Sequence, residues 1–526
     1  MQAFFVYYMV ERQRPTPRRV LAAEFSQTSE HAPQEIERAL AAFIDPNNPR
    51  MSLENFSNQL TMMAVGAGGP GRTRDDRRVT ETLRGVLDDV RDARLFNEAY
   101  LGHLLSESSI PGMFGYMLAM RIGSNTVARE VSLAESVLEP EAMRGLMEIV
   151  GYDPDVGSGT FTSGGSMANM TALAVAREVT EKRIIESGGT PGQMIILTSP
   201  FAHYSIEKAC KLLGGPSRLI DLQRVKSLEL RMSPDDLVQK ITDAETRGVP
   251  IMAVLAIPGE TETGLIDPIE RIADITEQHD VNLIIDGTYG APYRLSRVGY
   301  KFRGMERAMA VTIDPHKALY TPYNNGAVLF RNAEDHALLN KGIEADYLQF
   351  KTEYESLVQN LRSEEPDYNL GEKRIEGSMS AGPILSTIAV LRTLRLGGLA
   401  TIYDLTLDRT RHLYNRISQS QYLVSIHEPD LNMLCFTLNA ETKTRLGIVN
   451  NDELDNFINS TRRELDKDVK GEGGFFFSAT NLPDDSGIRT RVYRSCIMHP
   501  RTTDSIINDA VSGLESIIEQ RIEASH

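Results

Sequence analysis

Four short stretches of this chain carry side chains whose types and spacing could do chemistry. The sharpest is Thr312-Ile-Asp-Pro-His-Lys317, at the end of an apolar run, Ala308–Ile313. A lysine just past a buried strand loses part of its hydration, and a neutral amine is what a Schiff-base lysine requires. The second is Asp286, which follows Val281-Asn-Leu-Ile-Ile285. A carboxylate there is costly to bury alone, so either a structural arginine or lysine or a ligand nitrogen is expected beside it. The third is His203, five residues past Met194-Ile-Ile-Leu-Thr198. An imidazole at a strand's carboxyl end either stacks on a planar ring or packs as a structural histidine. The fourth is Thr162-Ser-Gly-Gly-Ser-Met-Ala-Asn169, which leads into a helical stretch, Met170–Glu181. Backbone N–H groups and the helix dipole make such an entrance an anion site suited to phosphate. The competing reading is an ordinary helix start capped by Ser163 or Ser166.

Elements of one fold class must position these groups. Apolar runs at 194–198, 251–257, 281–285, 308–313 and 326–330 read as strands, with helical stretches at 205–213 and 269–279 between them. That alternation predicts a mostly parallel sheet covered on both faces. Such sheets bind ligands at the carboxyl ends of their strands, where the four stretches fall. A phosphate cradle, a stacking ring, a buried carboxylate and a lysine together are the groups needed to hold pyridoxal phosphate. The organisation expected is an N-terminal helical segment over 1–100, a large domain over 101–385 and a small α+β domain over 386–526. Within the first, Gly66–Gly71 is a breaker and Arg72–Arg94 reads as a solvated helix. The last is expected to contain helices at 384–396, 403–417 and 504–522 and strands at 434–438 and 490–497.

Composition narrows the partners. Among 526 residues, 72 are acidic and 56 basic, and the net charge of -16 disfavours nucleic acid and anionic membranes. Cys210, Cys435 and Cys496 are too few and too scattered for a disulfide scaffold or a metal site, and they fit a reducing compartment. The apolar stretch Ala3–Val10 precedes Glu11, Arg12 and Arg14, the reverse of a secretory signal, and is too short to span a bilayer. No other run approaches that length, and a cytoplasmic location is expected.

The same stretches, with others in order, resemble the group II pyridoxal-phosphate-dependent amino-acid decarboxylases, which act on glutamate, aspartate, tyrosine and aromatic amino acids. The matching set includes Glu130-Val-Ser132, Leu138-Glu139, Thr162–Asn169, His203–Ala209 and Pro258–Gly264 with Asp267-Pro268. It continues through Ile285–Gly290, Asp314–Lys317, Arg494–Ile497 and Pro500–Thr503. The resemblance implies an α/β protein of fold type I, the aspartate-aminotransferase-like class, with a seven-stranded, mostly parallel sheet. It implies that Lys317 carries the cofactor covalently, that His203 stacks on its ring and that Asp286 pairs with the ring nitrogen. Thr288 would lie against the other face, Thr261 beside the ring, His316 before the lysine, and Gly165 and Ser166 at the phosphate. Arg494 would receive the substrate α-carboxylate. A tyrosine would return the proton to Cα, with Tyr368 the first candidate and Tyr354 or His316 the alternatives. A homodimer with its active site at the interface is implied as well.

The chain departs from the family pattern at Gly287-Thr288, at Ala318 and at Gly377–Gly382, where an arginine often found in the family is missing and Ser378 stands as a substitute. His103, in Tyr100-Leu-Gly-His103, falls where the family builds a substrate wall, and either packs there or meets the substrate side chain. The expected reaction is α-decarboxylation of an L-amino acid, with an acidic substrate favoured over tyrosine or another aromatic one. The alternatives are a carbon–carbon lyase or aminotransferase on the same scaffold, and a non-catalytic pyridoxal-phosphate-binding protein.

Overall fold

The computed structural model describes residues 31–43, 96–215, 219–340, 374–467, 474–483 and 488–525, with isolated positions between 81 and 89 and at 371. Ala3–Val10, Gly66–Gly71, most of Arg72–Arg94, Tyr354 and Tyr368 lie outside the described residues.

Seven strands form the central sheet: β1 (Ser158–Thr162), β2 (Met194–Thr198), β3 (Ile220–Arg224), β4 (Ile251–Ala256), β5 (Leu283–Asp286), β6 (Ala310–Ile313) and β7 (Gly326–Phe330). Their order is β1-β7-β6-β5-β4-β2-β3. Pairings among β3, β2, β4, β5 and β6 are parallel, whereas β7 runs antiparallel to both neighbours. Successive side chains on a strand point to opposite faces. Ile195, Leu197, Leu283, Ile285, Val311 and Ile313 accordingly enter one apolar cluster, while Met194, Ile196, Ile284 and Ala310 enter the other. Burial on both faces explains why these strands read as unbroken apolar runs.

Among the helices, α1 (Ile110–Ile122), α2 (Gly165–Glu186), α3 (Tyr204–Leu213), α4 (Gly382–Ser418) and α5 (Asp504–Ala524) matter most for the site. The two helices expected at 384–396 and 403–417 are one 37-residue element, α4, interrupted only at Arg395, where φ is 55°. The boundary drawn at 385/386 falls inside it. By length and composition α4 is apolar enough to cross a membrane, which corrects the expectation that no run approaches that length. It is instead packed against Pro33–Leu40, α1 and α5, and it buries Asp404 and Arg409. A second sheet, β8 (Leu423–Ser425), β9 (Met433–Leu438), β10 (Ser478–Pro483) and β11 (Arg489–Cys496), has the order β8-β9-β11-β10 and is wholly antiparallel.

One buried ion pair ties β1 to residues near the C-terminal half. Arg374 Nη2 lies 2.8 Å from Glu139 Oε2, with both side chains at most 2% exposed. Glu139 Oε1 accepts from Thr160 Oγ1 and the Phe161 N–H, so the pair braces the strand that delivers Thr162. Glu139→Ala removes this carboxylate from a buried guanidinium and is expected to lower unfolding free energy by about 3–5 kcal/mol, read from a urea melt. A change below about 1 kcal/mol would contradict the bracing role.

Candidate active site

The predicted groups sit after the strands as expected, and most of them meet. Helix α2 starts at Gly165, with Gly164 as its N-cap, and no side chain among the described residues accepts from its first N–H groups. The alternative of an ordinary cap by Ser163 or Ser166 therefore does not hold. Ser163 instead donates its N–H and Oγ to Glu376 Oε1, at 2.8 and 3.0 Å. Gly165 has no room for a side chain: a Cβ there would lie 2.6 Å from Thr288 Cγ2 and 2.7 Å from Asp314 Oδ2. The uncapped helix entrance thus opens beside the turns that follow β5 and β6.

Lys317 Nζ reaches both of those turns, lying 3.0 Å from Asp314 Oδ2 and 3.3 Å from Thr288 Oγ1. Thr288 Oγ1 in turn donates to Asp286 Oδ1 at 2.9 Å. The other Asp286 oxygen accepts from Asn169 Nδ2 at 2.9 Å. Asp286 is 5% exposed, and its hydrogen-bond donors among the described residues are neutral: Asn169, Thr288 and a long contact from Thr312. Of the two alternatives the sequence left open, a structural arginine or lysine and a ligand nitrogen, the first is not met among the described residues. A carboxylate held this way favours a protonated nitrogen opposite it.

His203 joins the same network. Its Nδ1 accepts the Ser205 N–H at 3.3 Å and lies 2.8 Å from Ser205 Oγ, which is 3.3 Å from Asn169 Nδ2. Burial holds the imidazole pKa below its usual value, against the pull of Asp286. A neutral ring suits stacking on another ring better than a cation needing water. His316 is likewise pushed down by burial, with Asp314 opposing. Its Nδ1 accepts the Asn325 N–H at 3.2 Å, which puts the proton of the neutral ring on Nε2, 3.5 Å from Asp314 Oδ2.

Arg494 on β11 forms a second cluster with Thr261 and His103. Its Nη2 and Nε donate to Thr261 O at 2.7 and 3.0 Å, and Nε also lies 3.2 Å from Glu262 O. Its Nη1 donates to Gly102 O at 3.0 Å and Ser478 Oγ at 3.1 Å, and His103 Nδ1 is 3.4 Å away. Five N–H groups are available, so one on Nη2 has no protein acceptor among the described residues. The Thr261 side chain and His103 are exposed. The two clusters adjoin, because a Cβ on Gly290 would fall 1.5 Å from Pro258 O and one on Gly259 would lie 3.2 Å from Tyr289 Cε1. Ser378 Oγ accepts from Asn125 Nδ2 at 3.1 Å. Asn169, Ser205, Asp314 and Glu376 were not singled out from sequence. The first three lay inside quoted motifs, but a polar residue's partner is a matter of tertiary placement.

Comparison with known proteins meets this geometry directly. The family described as "Pyridoxal-dependent decarboxylase conserved domain" matches residues 95–439. The chain belongs to that family. An aromatic-L-amino-acid decarboxylase of Bacillus atrophaeus is 29% identical over 391 residues, 73% of each chain. An aspartate 1-decarboxylase of Aliivibrio fischeri is 26% identical over 85% of this chain and 83% of its own. Mouse CSAD, a solved structure, shares the fold with a TM-score of 0.71 at 19% identity, over 96% of this chain and 99% of that one. This decarboxylase is therefore a pyridoxal-phosphate-dependent carboxy-lyase acting on amino acids, with the type I fold. The residues described fit the cofactor: an uncapped helix entrance for the phosphate, a buried carboxylate with only neutral donors for the ring nitrogen, and a lysine within reach of both turns.

Proposed function

We propose that the decarboxylase removes the α-carboxyl group of an acidic L-amino acid, aspartate or glutamate. The observation that carries the choice is His103, an exposed imidazole whose Nδ1 turns toward Arg494. With Nδ1 facing the guanidinium, the neutral ring carries its proton on Nε2, the kind of donor that a side-chain carboxylate beside the α-carboxylate site would accept from. An aromatic substrate is the second reading, since Tyr100 and Phe476 stack at 4.9 Å and Phe476 lies 6.0 Å from His103. Relatives named for both substrate classes leave the choice to experiment. In a CO2-release assay with the amine identified, kcat/KM is expected to be at least about tenfold higher for L-aspartate or L-glutamate than for L-tyrosine. The reverse order would establish the aromatic reading.

The roles of the side chains follow from their positions. Pyridoxal phosphate, when bound, supplies the electron sink for the pair left at Cα by departing CO2. Lys317 would carry it, and Gly165 and Ser166 would present N–H groups to its phosphate. Asp286 would hold a proton on the ring nitrogen, Thr288 and His203 would flank the ring, and Thr261 and His316 would border it. Arg494, through its open Nη2 donor, would hold the α-carboxylate and so orient the bond to be broken. Tyr368, in sequence the best placed of the tyrosines, returns the proton to Cα. Tyr368→Phe is expected to slow amine release by about 10²-fold while CO2 still leaves, and equal rates of both products at the native level would move that role elsewhere.

The working unit is a homodimer in the cytoplasm. Met120 and Ile122 at the end of α1, and Val131 and Leu133 just beyond it, are exposed, and an apolar surface of this kind suits burial against a second copy. Light scattering is expected to give twice the 58.5 kDa of one chain.

A further inference from the structure

The turn Gly259–Gly264 holds a buried acid with no part in the roles above. Glu260 is 3% exposed. Its Oε2 accepts the Glu262 N–H at 2.5 Å, and its Oε1 accepts the Thr263 N–H at 2.5 Å together with the Thr263 hydroxyl. The turn is closed around it by Gly264 N–H to Glu260 O and by Gly259 and Glu260 N–H to Leu265 O. Gly259 and Gly264 both have positive φ, 104° and 73°. A Cβ on Gly264 would meet Met433 Cβ at 2.7 Å, so the turn is wedged against β9.

The direction of the peptide units gives this acid its meaning. The Glu262 N–H and the Thr261 C=O belong to one planar trans peptide, as do the Thr263 N–H and the Glu262 C=O. N–H and C=O of a trans peptide point in opposite directions. Drawing both N–H groups onto Glu260 therefore aims both carbonyls outward, at Arg494. Those are the carbonyls that grip its guanidinium, at 2.7 and 3.0 Å for Thr261 and 3.2 Å for Glu262. An ionised acceptor also polarises the peptides it binds and strengthens the bonds on their far side.

We propose that Glu260 is a positioning residue for substrate binding: through two peptide units it orients Arg494, so that the guanidinium presents its open N–H to the α-carboxylate. The inference rests on the reading of Arg494 as the carboxylate receptor. Glu260 acts on substrate affinity through Arg494 and makes no contact of its own with the reacting atoms.

A titration links this geometry to pH. Burial pushes the Glu260 carboxyl up to about 7, opposed by the hydrogen bonds from Thr263 and Glu262. The other ionisable groups around it are Glu262 in the same turn, Arg494 on β11, and Cys435 on β9, whose thiol burial keeps protonated. The raised pKa means that the ionised form is complete only above about 7. As the pH falls, protonation turns one acceptor into a donor facing N–H groups, and the grip on Arg494 loosens. Substrate KM should therefore rise on the acid side.

The test uses the holoenzyme and whichever of L-aspartate, L-glutamate, L-tyrosine and L-2,4-diaminobutyrate is turned over fastest. Glu260→Gln is expected to raise KM about tenfold, to change kcat by less than about threefold, and to leave the absorbance of the bound cofactor unaltered. The acid-side rise of KM should vanish in the variant. Glu260→Gln combined with Arg494→Lys should be no worse in KM than Arg494→Lys alone, because both changes act on one contact. A Glu260→Gln enzyme with native KM, beside an Arg494→Lys enzyme with raised KM, overturns the proposal and leaves the Arg494 reading standing. Native KM in Arg494→Lys overturns that reading and the proposal with it. If Glu260→Gln does not fold, the native holoenzyme decides between pH 6 and 8, by the pH dependence of affinity for the amino acid and for its amine product. Affinity for the amino acid alone should weaken on acidification, and parallel profiles overturn the proposal.

Discussion

Replacing Asp286 by alanine is expected to keep the cofactor on Lys317 and yet lower CO2 release by at least about 10³-fold, or about 4 kcal/mol of transition-state stabilisation. The size of the effect follows from the isolation of this carboxylate. It is 5% exposed, and among the described residues it meets only the amide of Asn169 and hydroxyls and an N–H from Thr288 and Thr312. A buried carboxylate without a cationic partner gains most when a protonated ring nitrogen completes it. Without that carboxylate a ring nitrogen bound here would lose its proton and the electron sink would weaken. Asp286→Asn preserves shape and most of the packing, so it should match the alanine variant in turnover while disturbing the fold less. The alanine variant leaves Asn169 and Thr288 without their acceptor, at about 1–3 kcal/mol of stability, and a thermal melt separates that loss from the catalytic one. Near-native CO2 release from either variant would put the ring nitrogen elsewhere.

Lys317→Ala is expected to have the largest effect of any single change, a fall in turnover of about 10⁴-fold or more. Lys317→Arg should not rescue it, because guanidinium stays protonated and offers no neutral amine. The lysine also spans Asp314 and Thr288, so its loss leaves Asp314 beside the neutral ring of His316, whose Nε2 is 3.5 Å away, without its lysine ion pair. Added primary amine distinguishes the two functions, since it can restore exchange of the cofactor but not the lysine's ion pair. Turnover within about tenfold of native in Lys317→Ala would remove this residue from the site.

The parallel strands were legible because burial on both faces writes itself as runs of isoleucine, leucine and valine. β2, β4, β5 and β6 fall within a few residues of their sequence assignments. β1 was missed, since Ser158-Gly-Thr-Phe-Thr162 has one large apolar residue in five. β3 was missed because Ile220-Asp-Leu-Gln-Arg224 lies at the sheet edge and alternates in polarity. The site shows a similar division. Lys317, Asp286 and His203 stand out by their positions after strands. The Asn169–Ser205 link and the cage around Arg494 do not, because their partners are backbone carbonyls and distant side chains that only the fold brings together.

The measurement that bears most directly on this site is borohydride reduction of the holoenzyme, followed by peptide mapping. Borohydride fixes a lysine-bound pyridoxal irreversibly, so the labelled position reports where the cofactor is carried. The expected result is a single pyridoxyl group on the peptide containing Asp314-Pro-His-Lys317, at Lys317. A label on any other lysine, with Lys317 unmodified, would contradict the assignment on which the rest of the site is built.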